Sequence, residues 1–158
     1  MRSNEIANWP IPPADAQVIS TSIIIERALP EVWQVLTDFG SYGSWNPYIV
    51  RIEGQAIKGT TLSVHACTGP NESILVQSVD VIAASTPVMR WQGGLTDRSE
   101  FAGDHWFILE TFDTQKTKLN HFEFFSGSKA PQILGKYGSR IRQNFILFNE
   151  SLRAGQKS

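Results

Sequence analysis

His105, His121 and Glu123 are the residues whose types and spacing suit proton transfer. Glu100 to Phe112 and Lys116 to Ser126 alternate as two strands, joined by the short Asp113-Thr114-Gln115 connection. Strand side chains alternate between faces, so His105, Phe107 and Leu109 share one face. Leu119, His121, Glu123 and Phe125 share one face of the next strand. If Phe107 and Leu119 point inward, both histidines and Glu123 do too. A buried Glu123 would keep its proton to higher pH and could act as a general acid or base. His105 or His121 would orient it, or donate to a ligand carbonyl or phenolate. The opposite parity carries Trp106, Ile108, Phe122 and Phe124, and both orientations stay open. With Trp106 and Phe124 inward the site vanishes. A His–Glu cross-strand pair worth about 0.2–1 kcal/mol would equally explain the pattern as sheet architecture.

Met89 and Trp91 share one face of an earlier strand, as an adaptable and a rigid apolar wall. Either core packing or pocket lining accounts for them, and Arg90 between them is expected at the solvent. His65 and Cys67 lie at i and i+2, but a metal centre needs three or four convergent ligands and no spaced partners are evident. No metal and no cofactor is expected. Cys67 as a nucleophile would need an electropositive setting that the sequence does not supply.

The elements that must position these residues are legible from periodicity. Val18 to Arg27 is β-branched and reads as a first strand. Leu29 to Pro47 follows, with Val32, Val35, Leu36 and Phe39 at helical spacing, Pro30 in the first turn and Leu29 at the N-cap. Gly40, Gly43 and Trp45-Asn46-Pro47 break that helix and return the chain to extended structure. Strands follow at Tyr48 to Gly54, Thr61 to Cys67, Ser73 to Ala83 and Val88 to Gln92, with turns at Lys58-Gly59, Gly69-Pro70-Asn71 and Gly93-Gly94. After Gly127 the period changes. Leu134, Tyr137, Ile141, Phe145, Phe148 and Leu152 step by three or four, which predicts a long amphipathic helix. Its stripe is expected to face the sheet, with Ile141, Phe145 and Phe148 nearest a ligand. Arg142, Asn144 and Asn149 flank that stripe, read either as a solvated helix flank or as polar anchors for a ligand carboxylate or hydroxyl. A strongly twisted seven-stranded sheet would curl around this helix, leaving space that side chains fill or a cavity keeps.

The 158 residues carry 14 basic and 15 acidic side chains, for a net charge of −1, without runs of like charge. That excludes the basic footprint of a nucleic-acid binder. No apolar run approaches the roughly 20 residues that span a bilayer. Met1 to Gln17 lacks the apolar core of a signal peptide, and Cys67 is the only cysteine, so a cytoplasmic location is expected. Residues 1–16, with Pro10, Pro12 and Pro13, read as an extended arm whose Trp9 could dock on the body. Residues 17–155 read as one domain.

In that order the chain resembles the SRPBCC superfamily, the START-like or helix-grip proteins, and looks closest to the polyketide cyclase/dehydratase-like branch. The likeness rests on Val32-Trp33, Asp38-Phe39, Tyr42 and Trp45-Asn46-Pro47, then on Met89-Arg90-Trp91. It continues through Gly103-x-His105-x-Phe107-x-Leu109 and Thr117-x-Leu119-x-His121-x-Glu123-x-Phe125-x-Gly127 to Asn149-Glu150-Ser151-Leu152. The resemblance implies an α+β helix-grip fold. A curved seven-stranded antiparallel sheet would wrap a long C-terminal helix, with two short helices between strands 1 and 2. It also implies a cavity for small hydrophobic molecules, without fixing a reaction.

Three functions follow as expectations. The first is carriage or sensing of a small hydrophobic or aromatic ligand, lined by Met89, Trp91, Phe107, Leu109, Leu119, Phe125, Ile141, Phe145 and Phe148. Burying about 300 Å² of ligand at about 25 cal/mol/Å² gives about 7 kcal/mol gross, enough for weak binding after association costs. The second is a cyclase-, dehydratase- or aldolase-type enzyme using His105, His121 and Glu123. The third is an interaction module, such as a homodimer formed through exposed Trp106 or Phe124.

Overall fold

The computed structural model describes residues 10–68 and 70–155. Trp9 and Gly69, for which docking and a turn are expected, lie outside them. Strands β1 (Gln17–Ile25), β2 (Ile49–Glu53), β3 (Thr61–Ala66), β4 (Leu75–Ser85), β5 (Val88–Gly94), β6 (Ala102–Asp113) and β7 (Lys116–Ser126) form one sheet. Its order is β1-β7-β6-β5-β4-β3-β2, and every neighbouring pair is antiparallel. Helices α1 (Leu29–Thr37) and α2 (Tyr42–Trp45) lie between β1 and β2, and α3 (Ala130–Gly155) follows β7. This is the helix-grip arrangement that the sequence resemblance implies. Among the described residues, no helix is long and apolar enough to cross a membrane.

The first connector links the two edge strands. The N-cap of α1 is Ala28, one residue earlier than expected. Ala28 has no side-chain acceptor to offer; instead Glu31 accepts from its backbone N–H at 3.3 Å. Val32, Leu36, Phe39 and Tyr42 are buried. The Tyr42 hydroxyl donates to the Leu36 carbonyl at 2.5 Å, tying the two short helices together. Asn46 Oδ1 accepts from the backbone N–H groups of Tyr48 and Ile49, which turns the chain into β2. Trp45 packs at 6.0 Å from Phe148 on α3, so the connector closes one end of the curled sheet.

Helix α3 spans 26 residues, about 39 Å at 1.5 Å per residue, and its two halves behave differently. Phe145, Phe148 and Leu152 in the second half are fully buried. In the first half Ile141 and Leu134 are only half-buried, and Tyr137 is 48% exposed. Leu75 and Val76 at the start of β4 are also exposed, although they lie on opposite faces of that strand. Sheet and helix therefore grip at one end and diverge at the other. Close packing at the first end is dispersion-rich and leaves no room for a ligand, whereas divergence at the second leaves space.

The convex face is better covered than its sequence suggests. Ile108, Phe122 and Phe124 are buried there, packed with Ala16, Val88 and Trp106. Phe124, at 6% exposed, is not the exposed aromatic that an interaction module would use. Arg90 is half-buried rather than solvent-facing. It makes a bidentate pair with Asp104 at 2.8 and 2.9 Å and lies 4.4 Å from the Trp106 ring centroid.

Candidate functional site

The register of β6 on β7 settles the parity left open by the sequence. His105 pairs with Glu123, Phe107 with His121 and Leu109 with Leu119, and this face looks toward α3. Both histidines are buried, at 5% and 0% exposed, and the Glu123 side chain keeps 16%. His121 is stacked 4.2 Å from Phe145 and lies 4.5 Å from Phe107, ring centre to ring centre. His105 is stacked between Phe107 at 4.7 Å and Phe145 at 5.0 Å. An aromatic box thus encloses both imidazoles.

Polar contacts continue through the box. His105 Nε2 and His121 Nε2 are 2.8 Å apart, and His121 Nδ1 is 2.7 Å from Asn149 Oδ1. Asn149 Nδ2 donates to Thr21 Oγ1 at 2.9 Å, and that hydroxyl donates to the His121 carbonyl at 2.8 Å. At the other end His105 Nδ1 is 3.4 Å from Glu123 Oε1. The chain runs from β1 through α3 and β7 to β6, and ends at a carboxyl on the cavity wall.

Burial sets the charge states. Desolvation lowers the His121 pKa to about 3 and holds His105 well below its ordinary value, with the neighbouring His121 a smaller cause for His105. Desolvation raises Glu123 to about 8, and the Asp104 charge adds to that rise. His105 and Glu123 approach within ion-pair distance, yet each is pushed toward its neutral form. The contact is therefore a neutral one at pH 7.

Beyond Glu123 the diverging sheet and helix enclose two connected spaces. The larger, about 570 Å³, is lined by Gly103, Glu123 and Phe125 on the sheet and by Ile133, Tyr137, Arg140, Ile141 and Asn144 on α3. The smaller, about 310 Å³, extends beneath β3 to β6 past Val79, Trp91 and His105. Tyr48, Phe101 and Glu123 border both. Burial raises the Tyr48 phenol, and Glu123 reinforces the shift, so Tyr48 remains protonated. Arg140 donates to the Cys67 carbonyl at 3.3 Å, which fixes a cation at the rim.

Of the side chains expected to line a pocket, Trp91, Phe125 and Ile141 border the cavity, as do His105 and Glu123. Met89, Phe107, Leu109, Leu119 and Phe148 border neither space and fill the closed end, while Phe145 borders neither and packs with Phe125 and Ile141 behind the cavity wall. His121 lies behind His105, out of the cavity. His65 reaches Glu53 on the neighbouring strand at 3.2 Å. Sequence reasoning missed Thr21 and Gly103 as site residues and read Asn149 as a solvated flank or a polar ligand anchor, whereas it is 2% exposed and bonded to His121 and Thr21. The signal for Asn149 was its place four residues after Phe145 and eight after Ile141; for Thr21 it was the inward parity shared with Ile19 and Ile23.

Gly103 gives Glu123 its room. A Cβ built on Gly103 would collide with Glu123 Oε2, so the carboxyl lies directly over the glycine. Gly103→Ala is expected to push the carboxyl aside and destabilise the protein by about 1–3 kcal/mol. Urea denaturation measures the loss, and carboxyl 13C NMR should show the Glu123 midpoint moving from about 8 toward its ordinary value.

Among solved structures, the Zhui aromatase/cyclase from Streptomyces sp. R1128 superposes with a TM-score of 0.70 at 14% identity, over 90% of this chain and 94% of that one. A START superfamily protein from Mycobacterium smegmatis gives 0.65 at 12%, over 87% and 97%. The chain has the START-like fold. A third START-like neighbour in shape is norcoclaurine synthase from Thalictrum flavum in complex with dopamine and hydroxybenzaldehyde, at 0.61 and 11%, over 88% and 85%. No family profile and no curated protein matches the sequence. At these identities the likeness shows the START-like fold alone, and function rests on the site.

Proposed function

We propose that this protein binds a small, mainly apolar or aromatic molecule between α3 and the sheet, with Glu123 as its polar contact. The observation that carries the reading is the cavity of about 570 Å³, walled by Phe125 and Ile141, with one neutral carboxyl group on its wall. The synthase of similar shape, in complex with dopamine and hydroxybenzaldehyde, supports this reading. Native mass spectrometry of freshly purified protein tests the reading. A stoichiometric small molecule should accompany the wild type and be absent from Ile141→Trp, whose indole fills the space. A wild type that carries nothing and also rejects 2-naphthol would sink it.

A second reading is favoured by Glu123 itself. An acid whose midpoint is about 8 can both give and take a proton near neutral pH, which suits a cyclase- or aldolase-type step. Under this reading Glu123 touches the substrate while His105 orients it. Glu123→Gln should then keep binding but lose turnover of the co-purifying compound; unchanged turnover dismisses catalysis by Glu123.

A further inference from the structure

The buried polar chain has a direction that can be read from one end. Thr21 Oγ1 donates to the His121 carbonyl, which can only accept. With its proton used there, Thr21 is an acceptor toward Asn149 Nδ2, and this orients the amide. Asn149 Oδ1 then faces His121 Nδ1 and cannot donate, so the proton between them is on His121. Neutral His121 has a bare Nε2, and His105 Nε2 must supply the proton in their 2.8 Å contact. His105 Nδ1 is left as a lone pair, 3.4 Å from Glu123 Oε1. A carboxylate there would set lone pair against lone pair, whereas a carboxylic acid can donate into it.

We propose that Thr21, Asn149, His121 and His105 are positioning residues that hold Glu123 as a neutral acid, leaving its Oε2 to accept from a hydroxyl of the bound molecule. The other ionisable groups near Glu123 do not reverse this. Asp104, on the opposite face of the sheet, repels a carboxylate, Tyr48 is a neutral phenol, and the Arg140 guanidinium on α3 is turned to the Cys67 carbonyl. If Glu123 ionises, keeping every contact in the chain bonded requires reversal of the whole chain. Both imidazoles would exchange tautomers and the Asn149 amide would turn over, which the Thr21 hydroxyl opposes. The ligand class rests on the cavity reading above: a phenol or alcohol satisfies Oε2, whereas an ammonium group requires the carboxylate that the chain disfavours.

Histidine 15N NMR on the full-length protein at pH 6.5 tests the lock without any ligand. The expected spectrum has His121 protonated on Nδ1 and His105 on Nε2; His105 protonated on Nδ1 overturns the proposal. Thr21→Val should release the amide and lower the Glu123 midpoint by about one pH unit or more, while Thr21→Ser keeps it. Asn149→Leu should act like Thr21→Val, and supplies the comparison if that variant fails to fold. Equal midpoints in wild type and the folded lock variant overturn the proposal. In a ligand arm at pH 6.5, 2-naphthol should bind about tenfold or more tighter than 2-naphthylmethylamine. The reverse order overturns the assigned ligand class. Binding of neither counts against the cavity reading, and the NMR result still decides the lock.

Discussion

His121→Ala is expected to destabilise the protein by about 3–5 kcal/mol, measured by urea denaturation at pH 7. The imidazole is fully buried and is packed by Phe107, Phe145 and Phe148. Truncation leaves a cavity and also strips the partners from Asn149 Oδ1 and His105 Nε2. Each is then a buried polar atom without a bond, which is why the loss exceeds that of an apolar truncation of the same size. His121→Phe refills the volume and should recover part of the loss, but not the polar part. A loss below about 1 kcal/mol would show that the chain does not hold the fold together.

Glu123→Gln is expected to stabilise the protein, and increasingly so as pH rises. The folded-state pKa is raised from 4.5 to about 8, so between those values the folded state binds a proton that the unfolded state has released. Stability from this group is thus present below pH 4.5 and is lost as pH rises toward 8. Glutamine removes the cost while keeping the shape. The gain of the variant should be roughly 2–4 kcal/mol larger at pH 7.5 than at pH 4.5, allowing for the partial exposure of the carboxyl. His105 and His121 act in the opposite window. Their folded pKa values are lowered, so they destabilise the fold as pH falls below about 6.5, where the unfolded histidines protonate. These three groups alone place the stability maximum near pH 6.5. A flat difference between wild type and Glu123→Gln across pH 4.5–7.5 would mean that Glu123 is ionised in the folded protein.

Much of the fold was legible because its periods are strong. The alternation in β6 and β7 and the three-to-four stepping of α3 identify the sheet and the helix that it grips. Parity was not legible, because the convex face carries Trp106, Phe122 and Phe124 as densely as the concave face carries Phe107, Leu119 and Phe125. Only three-dimensional packing separates two apolar faces. The position of the cavity was hidden for a related reason. Ile141, Phe145 and Phe148 look equivalent on a helical stripe, yet divergence of α3 from the sheet leaves Ile141 on the cavity and seals the other two. Asn149 was not legible as a buried link, because an asparagine beside an apolar stripe is usually solvated. Its burial depends on a partner on β7 and another on β1, both remote in sequence. Gly103 carried no visible role until the carboxyl of a neighbouring strand was found above it.

The central claim is that the open end of the grip receives a small apolar molecule beside Glu123. Backbone 1H–15N shifts during titration with 2-naphthol at pH 6.5 test it most directly. Saturable shifts are expected at Gly103, Phe125, Ile141 and Asn144, and should vanish in Ile141→Trp. Shifts that fail to saturate, or that gather on the convex face around Trp106 and Phe124, would contradict the account.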